Sequence, residues 1–298
     1  LAKLVLEDAH QIMMDEFRRE YRPPLYDEEH VTAAVHQFTH IDYSRSVTMG
    51  DVSFRFRDAG HIFGSAFVEI IERGGARVTF SGDLGNKDVP ILRSTAQLAE
   101  ADIVVMESTY GNRIHEDEST REEKLKTIIQ QTIRQKGVLV IPAFAIERTQ
   151  QLLYELNHLV ETHLIPATDV YLDSPMAIHA TKIIEAYPQY YDPEALQLVS
   201  HGDDLFDFPG LHISETRDQS KAINEAAWPK IVISGSGMMN GGRILHHLIR
   251  YLSSEKCTLL IIGYQSPGTL GHKLYRGDKT VQVMGERVMV RARVLSIG

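Results

Sequence analysis

From about residue 118 onward, short apolar segments alternate with amphipathic ones, and this alternation limits the fold more than any other feature of the chain. The apolar segments are typical of buried strands and lie at 138–141, 170–172, 231–233 and 259–262. The segments between them repeat apolar residues at helical spacing, as in Leu152, Leu153, Leu156, Leu159 and Val160. Strands separated by helices predict an α/β fold with a mostly parallel sheet that helices cover on both faces.

Residues 51–110 have a different pattern, in which apolar and polar residues alternate. Val52, Phe54 and Phe56 fall on one face of a predicted strand, and further strands are expected at 66–71, 77–80 and 102–106. We therefore predict a β-rich domain over residues 1–111, followed by an α/β domain over residues 112–298.

Composition narrows the class of protein. The 298 residues include 24 % charged and 43 % hydrophobic residues, which is ordinary for a globular protein. The longest apolar run, Cys257–Gly263, falls short of the about 20 residues that cross a bilayer, so no membrane contact is expected. Cys257 is the one cysteine, which excludes an intramolecular disulfide and fits a reducing cytoplasm. The net charge of −9 disfavours broad nucleic-acid binding but leaves room for a confined groove.

Two glycine-flanked segments could carry chemistry. Asp58–Ser65 and Ser81–Gly85 each follow a predicted strand, and each holds one metal-ligand type of side chain, His61 and Asp83. An imidazole nitrogen and a carboxylate suit Zn²⁺. The alternative is that the aspartate caps a turn and the histidine bonds to backbone.

Taken together with Glu107–Gly111, these segments resemble successive motifs of the metallo-β-lactamase fold nucleases of the β-CASP group. That group includes the endonuclease subunit of the pre-mRNA cleavage-and-polyadenylation complex and bacterial RNA-processing exonucleases. The α/β half resembles segments of the β-CASP domain in the family's order, at Ile141–Gln150, Leu172–Met176, Ser234–Gly242 and Gly263–Leu270.

The resemblance implies a partial metallo-β-lactamase αββα sandwich joined to a β-CASP domain. It implies a zinc-dependent ribonuclease with two zinc ions, which cleaves single-stranded RNA in a cleft between the domains. His61 would be a metal ligand, and Asp83 would bridge both metals in the reaction. Glu107 would be an acidic residue of the catalytic site that orients a catalytic histidine.

The chain departs from the family pattern in two places. The His-x-His-x-Asp-His signature and the histidines that follow the strand at Val288–Leu295 are absent. We therefore expect a piece of a longer nuclease, inactive by itself. His272 is interpreted as a groove or surface residue and His115 as a loop histidine.

Candidate substrate contacts lie in the α/β half. The glycine-rich segment Ser234–Gly242 follows a strand and opens a helix, so Ser236 and Gly237 could present backbone N–H groups to a phosphate. Arg243 and Arg148 are candidate phosphate ligands, with a solvated helix face as the alternative for Arg243.

Two other functions stay open. The first is a catalytically degenerate RNA-binding or scaffold relative, and the second is a small-molecule metallo-hydrolase of the same fold. The mode of cleavage, endonucleolytic or exonucleolytic, is open as well. Strand edges at the chain ends favour self-association, which leaves a homodimer open.

Overall fold

The structure is a computed structural model that describes residues 1–87, 89–112 and 118–297. The chain divides into two compact units. The first comprises Leu1–Lys87, Leu92–Thr109 and Ile183–Ala186, and the second comprises Asp88–Ile91, Tyr110–Lys182 and Tyr187–Gly298. The division at residues 111 and 112 stays a prediction.

The first unit is built on a five-stranded sheet with the strand order β1-β2-β3-β4-β5. Neighbouring strands are antiparallel except β4 and β5, which are parallel. Two helices precede the sheet, α1 (Ala2–Glu20) and α2 (Glu28–His36). The strands are β1 (Ser46–Met49), β2 (Val52–Asp58), β3 (Ala66–Glu72), β4 (Arg77–Phe80) and β5 (Ile103–Val105). The alternating pattern predicted all of these strands except β1.

The second unit is built on a six-stranded sheet with the order β13-β10-β6-β9-β7-β8, and every neighbouring pair is parallel. Its strands are β6 (Val138–Pro142), β7 (Asp169–Asp173), β8 (Leu211–Ile213), β9 (Lys230–Ser234), β10 (Thr258–Ile261) and β13 (Arg293–Ser296). The predicted mostly parallel sheet is confirmed. β6, β9 and β10 are buried along their whole length, which explains their unbroken apolar sequence.

Helices connect these strands. They are α3 (Glu118–Arg134), α4 (Arg148–Glu161), α5 (Pro175–Glu185), α6 (Pro193–Ser200), α7 (Arg217–Ala222), α8 (Ile244–Tyr251) and α9 (Leu270–Tyr275), with a short 3₁₀ helix at Pro188–Tyr190. Gly137 lies between α3 and β6, where a Cβ atom would stand 1.7 Å from the carbonyl oxygen of Lys256. This close approach requires glycine and fixes where the chain turns from helix into sheet.

The chain near its last residues differs from the prediction. We expected one strand over Val288–Leu295, but the structure has two that belong to different sheets. β12 (Glu286–Met289) pairs antiparallel with β11 (Thr280–Val283), whereas β13 pairs parallel with β10. Between them, the backbone N–H groups of Arg291 and Ala292 both donate to the carbonyl of Leu252. These bonds turn the chain where the sequence pattern shows no interruption.

Candidate functional site

Two loops of the first unit are joined backbone to backbone. One loop follows β2 and carries His61, and the other follows β4 and carries Asp83. The N–H of Gly85 donates to the carbonyl of Ala59 at 2.8 Å. A Cβ atom on Gly85 would stand 1.7 Å from the carbonyl oxygen of Gly60, which itself has a φ of +62°. A Cβ atom on Gly60 would in turn stand 2.7 Å from the backbone nitrogen of Thr95, so a side chain at either position would collide with backbone.

The contact between the loops brings the two predicted ligands together. The His61 Nε2 atom lies 3.8 Å from the Asp83 Oδ2 atom. The His61 side chain is 38 % exposed and that of Asp83 is 75 % exposed, so both polar ends can be reached from solvent. The hydroxyl oxygen of Ser65 accepts the backbone N–H groups of His61 and Ile62, at 3.1 and 3.2 Å, and holds the first loop in its tight turn.

Glu107 is fixed beside the second loop. Its Oε1 atom accepts the N–H of Leu84 at 2.9 Å, and its Oε2 atom accepts the N–H of Thr109 at 3.1 Å. The backbone N–H of Glu107 donates to the Ser81 hydroxyl at 3.0 Å. Hydrogen bonding from the Thr109 side chain, followed by the Leu84 N–H, holds the pKa of Glu107 below its usual value. The carboxylate is therefore ionised at neutral pH, and its remaining lone pairs can accept a further hydrogen bond.

His61 and Asp83 could provide two of the ligands of a metal site. A neutral imidazole and an exposed carboxylate are ligands that divalent zinc accepts. Among residues 1–87, 89–112 and 118–297, no group of three or more His, Cys, Asp or Glu side chains is arranged to hold a metal ion. His115 lies outside the described residues. The described chain thus supplies His61 and Asp83, and a complete site needs further ligands.

The glycine-rich segment between β9 and α8 is held by hydrogen bonds between its own residues. The Ser236 N–H and the Ser236 hydroxyl both point to the carbonyl of Gly241, at 3.3 and 3.2 Å. A Cβ atom on Gly237 would lie 2.7 Å from the Phe144 ring, so this glycine packs beneath an aromatic side chain. Phosphate binding by Ser236 and Gly237 stays a prediction, and the Ser236 N–H already has a partner within the segment.

Arg243 has structural partners that the sequence did not indicate. Its Nη1 atom donates to Asp173 Oδ1 at 2.8 Å and to the carbonyl of Ser214, and its Nη2 atom donates to the carbonyl of Glu215. The expected positive stretch from Arg243 to Arg250 also contains His247, which is buried against the same aspartate. Arg243 is therefore bonded within the second unit rather than part of a solvated helix face. Its contact with a phosphate stays a prediction.

Asp173 is the centre of this cluster, and sequence reasoning missed its role. It is fully buried at the carboxyl end of β7, and its Oδ2 atom lies 2.7 Å from both His247 Nε2 and Ser220 Oγ. Bonds from these groups and from Arg243 lower the pKa of Asp173 despite the opposing effect of burial. The signal was present in the motif Leu172–Met176, where an aspartate directly follows a buried apolar strand.

Arg148 begins α4 and is half-buried. Its Nη1 atom donates to the Gln151 side chain at 2.9 Å. Burial lowers the pKa of this guanidinium, and the nearby Arg121 adds to the effect. Arg121 is itself paired with the buried Glu155. Arg148 is thus one of two neighbouring cations, and its phosphate contact stays a prediction.

Within the part of the chain that the structure describes, no helix is both long enough and apolar enough to cross a bilayer.

Comparison with known proteins places this geometry in a family. Residues 149–274 match the model of the Beta-Casp domain. A ribonuclease of Thermus thermophilus is 36 % identical over all 298 residues, and the chain spans 67 % of its length. An RNase J-like protein of Methanocaldococcus jannaschii is 32 % identical over 91 % of the chain and 63 % of its own length.

A transcription termination factor FttA of Methanosarcina mazei is 29 % identical over 83 % of the chain, which spans 39 % of that relative. The curated relatives are therefore longer than this chain. With the parallel sheet, the converging loops and a relative that matches from the first residue to the last, the chain belongs to the β-CASP nucleases of the metallo-β-lactamase fold.

Proposed function

We propose that the intact protein to which this chain belongs is a metal-dependent ribonuclease that hydrolyses phosphodiester bonds of RNA, with zinc as its metal. The observation that carries the proposal is the 3.8 Å approach of His61 to Asp83 beside an ionised Glu107. The relatives with the names ribonuclease and RNase J-like support RNA as the substrate. The cleft between two domains, single-stranded RNA and a homodimer stay predictions from the sequence.

Each site residue has a role that its surroundings support. His61 would present neutral Nε2 to the metal, and the two oxygens of Asp83 would allow that carboxylate to bridge two cations. When bound, the zinc ions would lower the pKa of a water molecule and neutralise charge on the phosphate. Glu107 would accept a hydrogen bond from an imidazole and fix its tautomer, so that the imidazole can deliver a proton to the leaving oxygen.

The test uses the intact protein and the variant Asp83→Ala. Zinc content is measured by elemental analysis, and cleavage is measured on a labelled oligoribonucleotide. We expect Asp83→Ala to lose bound zinc and to cleave at least about 100-fold more slowly, because a missing bridging ligand weakens both metals. The matched control is Asp51→Ala, which removes an exposed aspartate from the turn between β1 and β2.

Three results would contradict the proposal. Undiminished RNA cleavage by Asp83→Ala would show that the site is elsewhere. Tight RNA binding by a wild-type protein without zinc or cleavage would favour a scaffold. Hydrolysis of small esters that oligoribonucleotides do not inhibit would favour a small-molecule hydrolase.

A further inference from the structure

Three loops of the second unit meet around the ring of Phe144. Phe144 follows β6, Gly237 follows β9 and Gly263 follows β10, so all three stand at the carboxyl ends of parallel strands. A Cβ atom on Gly237 would be 2.7 Å from the ring, and one on Gly263 would be 3.5 Å from it. The Gln265 side chain donates to the carbonyl of Gly237 at 3.0 Å and ties the third loop to the second.

This packing holds the Phe144 ring in place without covering it. The ring rests against glycine backbone, and 37 % of the residue is exposed. Tyr264, next to Gly263, is 38 % exposed, and its ring stands perpendicular to that of Tyr110 with centroids 5.8 Å apart. Two aromatic side chains from neighbouring loops thus offer apolar surface to solvent from fixed positions.

The loops around the two rings lack the negative charge that would repel a nucleic acid strand. Ala143–Ile146, Ser234–Gly242 and Gly263–Leu270 contain no aspartate or glutamate, although the whole chain carries a net charge of −9. Glu147, the last residue of the first loop, is only 3 % exposed, so a nucleic acid strand would meet no exposed carboxyl group from these three loops. In open parallel sheets, ligands bind outside the carboxyl ends of the strands, where these loops lie.

We propose that Phe144 and Tyr264 form a stacking platform for the bases of single-stranded RNA. Exposed rings with no competing charge bind any base through its π-face, and such stacking tolerates sequence. A double helix hides its base faces, so the platform selects unpaired RNA. The identity of the nucleic acid rests on the proposed function, whereas the stacking surface stands on its own geometry.

The experiment measures binding separately from cleavage. Intact protein is kept in chelator, and a short oligoribonucleotide with 2-aminopurine at successive positions reports stacking by fluorescence quenching. The variants Phe144→Leu and Tyr264→Leu keep apolar volume but remove the aromatic ring. The control Tyr275→Leu removes a half-exposed tyrosine from α9, on the same unit.

We expect each platform variant to raise Kd about tenfold, as for the loss of one base–aromatic stack, and to lose quenching at one position. The control should bind like the wild type. An abasic residue at the quenched position should raise the Kd of the wild type. It should not raise the Kd of the variant, Phe144→Leu or Tyr264→Leu, that lacks the stacking ring. This non-additivity identifies the ring and the base as partners.

Thermal unfolding shows whether a variant is folded. If Phe144→Leu unfolds because its loop contacts fail, Tyr264→Leu decides the question, since the atoms nearest to Gly237 belong to the Phe144 ring. The proposal is overturned if a folded platform variant binds within twofold of the wild type while the wild type cleaves RNA. A wild-type protein that cleaves no RNA but still shows quenching would instead refute the proposed function and leave the platform standing.

Discussion

Glu147 is a buried acidic residue whose position in the folded chain is energetically unfavourable. It lies between β6 and α4, is only 3 % exposed, and has a φ of +71°, which residues other than glycine rarely adopt. Within the described residues, neither of its carboxyl oxygens has a hydrogen-bond partner. Burial raises the pKa of Glu147 to about 8, with partial compensation from the neighbouring Arg148. The folded protein therefore keeps this carboxyl protonated at neutral pH.

The raised pKa predicts a pH-dependent stability. Below the ordinary glutamate pKa, the group is protonated whether the chain is folded or not. As pH rises from about 4.5 to about 8, the unfolded chain releases the proton and the folded chain keeps it. The free energy of unfolding should therefore fall with a contribution of up to about 1.4 kcal/mol per pH unit.

Glu147→Gln removes the titrating group and keeps the size of the side chain. We expect urea unfolding of this variant at pH 5, 6, 7 and 8 to lack that contribution, so that its advantage over the wild type grows with pH. Glu72→Gln, at an exposed site on β3, should follow the wild type. Parallel curves for Glu147→Gln and the wild type would mean that Glu147 ionises freely in the folded state.

At the scale of elements, Asp173 connects three segments of the second unit. Its carboxylate, at the end of β7, accepts hydrogen bonds from Ser220 of α7 and from Arg243, which directly precedes α8. The same carboxylate lies 2.7 Å from the Nε2 atom of His247 in α8. A buried charge with several partners leaves those partners unsatisfied when it is removed. The cluster therefore holds the glycine-rich segment before α8 in position.

Asp173→Ala should lower the free energy of unfolding by about 3–5 kcal/mol, since it leaves Arg243 and His247 without their shared acceptor. Arg250→Ala on the same helix removes an exposed charge and should cost at most about 1 kcal/mol. Chemical unfolding of both variants at one pH checks the comparison. Equal losses would show that the cluster is no more important than a surface ion pair.

The elements of the second unit were predictable where burial dictates sequence. β6, β9 and β10 are covered on both faces, and their residues are accordingly apolar without interruption. The short β8 and the break between β12 and β13 were missed. Both depend on hydrogen bonds to distant segments, such as those from Arg291 and Ala292 to Leu252, and local periodicity does not encode such bonds.

The candidate site followed the same division. The structure places His61, Asp83 and Glu107 in one neighbourhood, as motifs at strand ends suggested, although their catalytic roles stay predictions. Arg243 was assigned from charge alone, and its partner Asp173 lies 70 positions away in the sequence. Nothing in the sequence marked Glu147 as a buried residue with positive φ, because an isolated Glu-Arg pair is typical of an exposed helix start.

At the scale of the whole molecule, metal binding should depend on more than the described residues provide. A catalytic zinc normally has three protein ligands or more, whereas His61 and Asp83 supply two. We expect the 298-residue chain by itself, with micromolar zinc, to cleave an oligoribonucleotide no faster than its own Asp83→Ala variant. Zinc-dependent cleavage that Asp83→Ala abolishes would show that these ligands suffice.

The glycine contact between the loops of His61 and Asp83 has a consequence for which ions the site can choose. Because Gly85 packs on the backbone of Gly60 and its N–H donates to Ala59, we expect the two loop backbones to move together and the spacing of the two donors to change little. Ligand atoms whose separation is fixed discriminate between metal ions by ionic radius. Larger ions such as Ca²⁺, which need six to eight oxygens at longer distances, should therefore compete poorly at this corner.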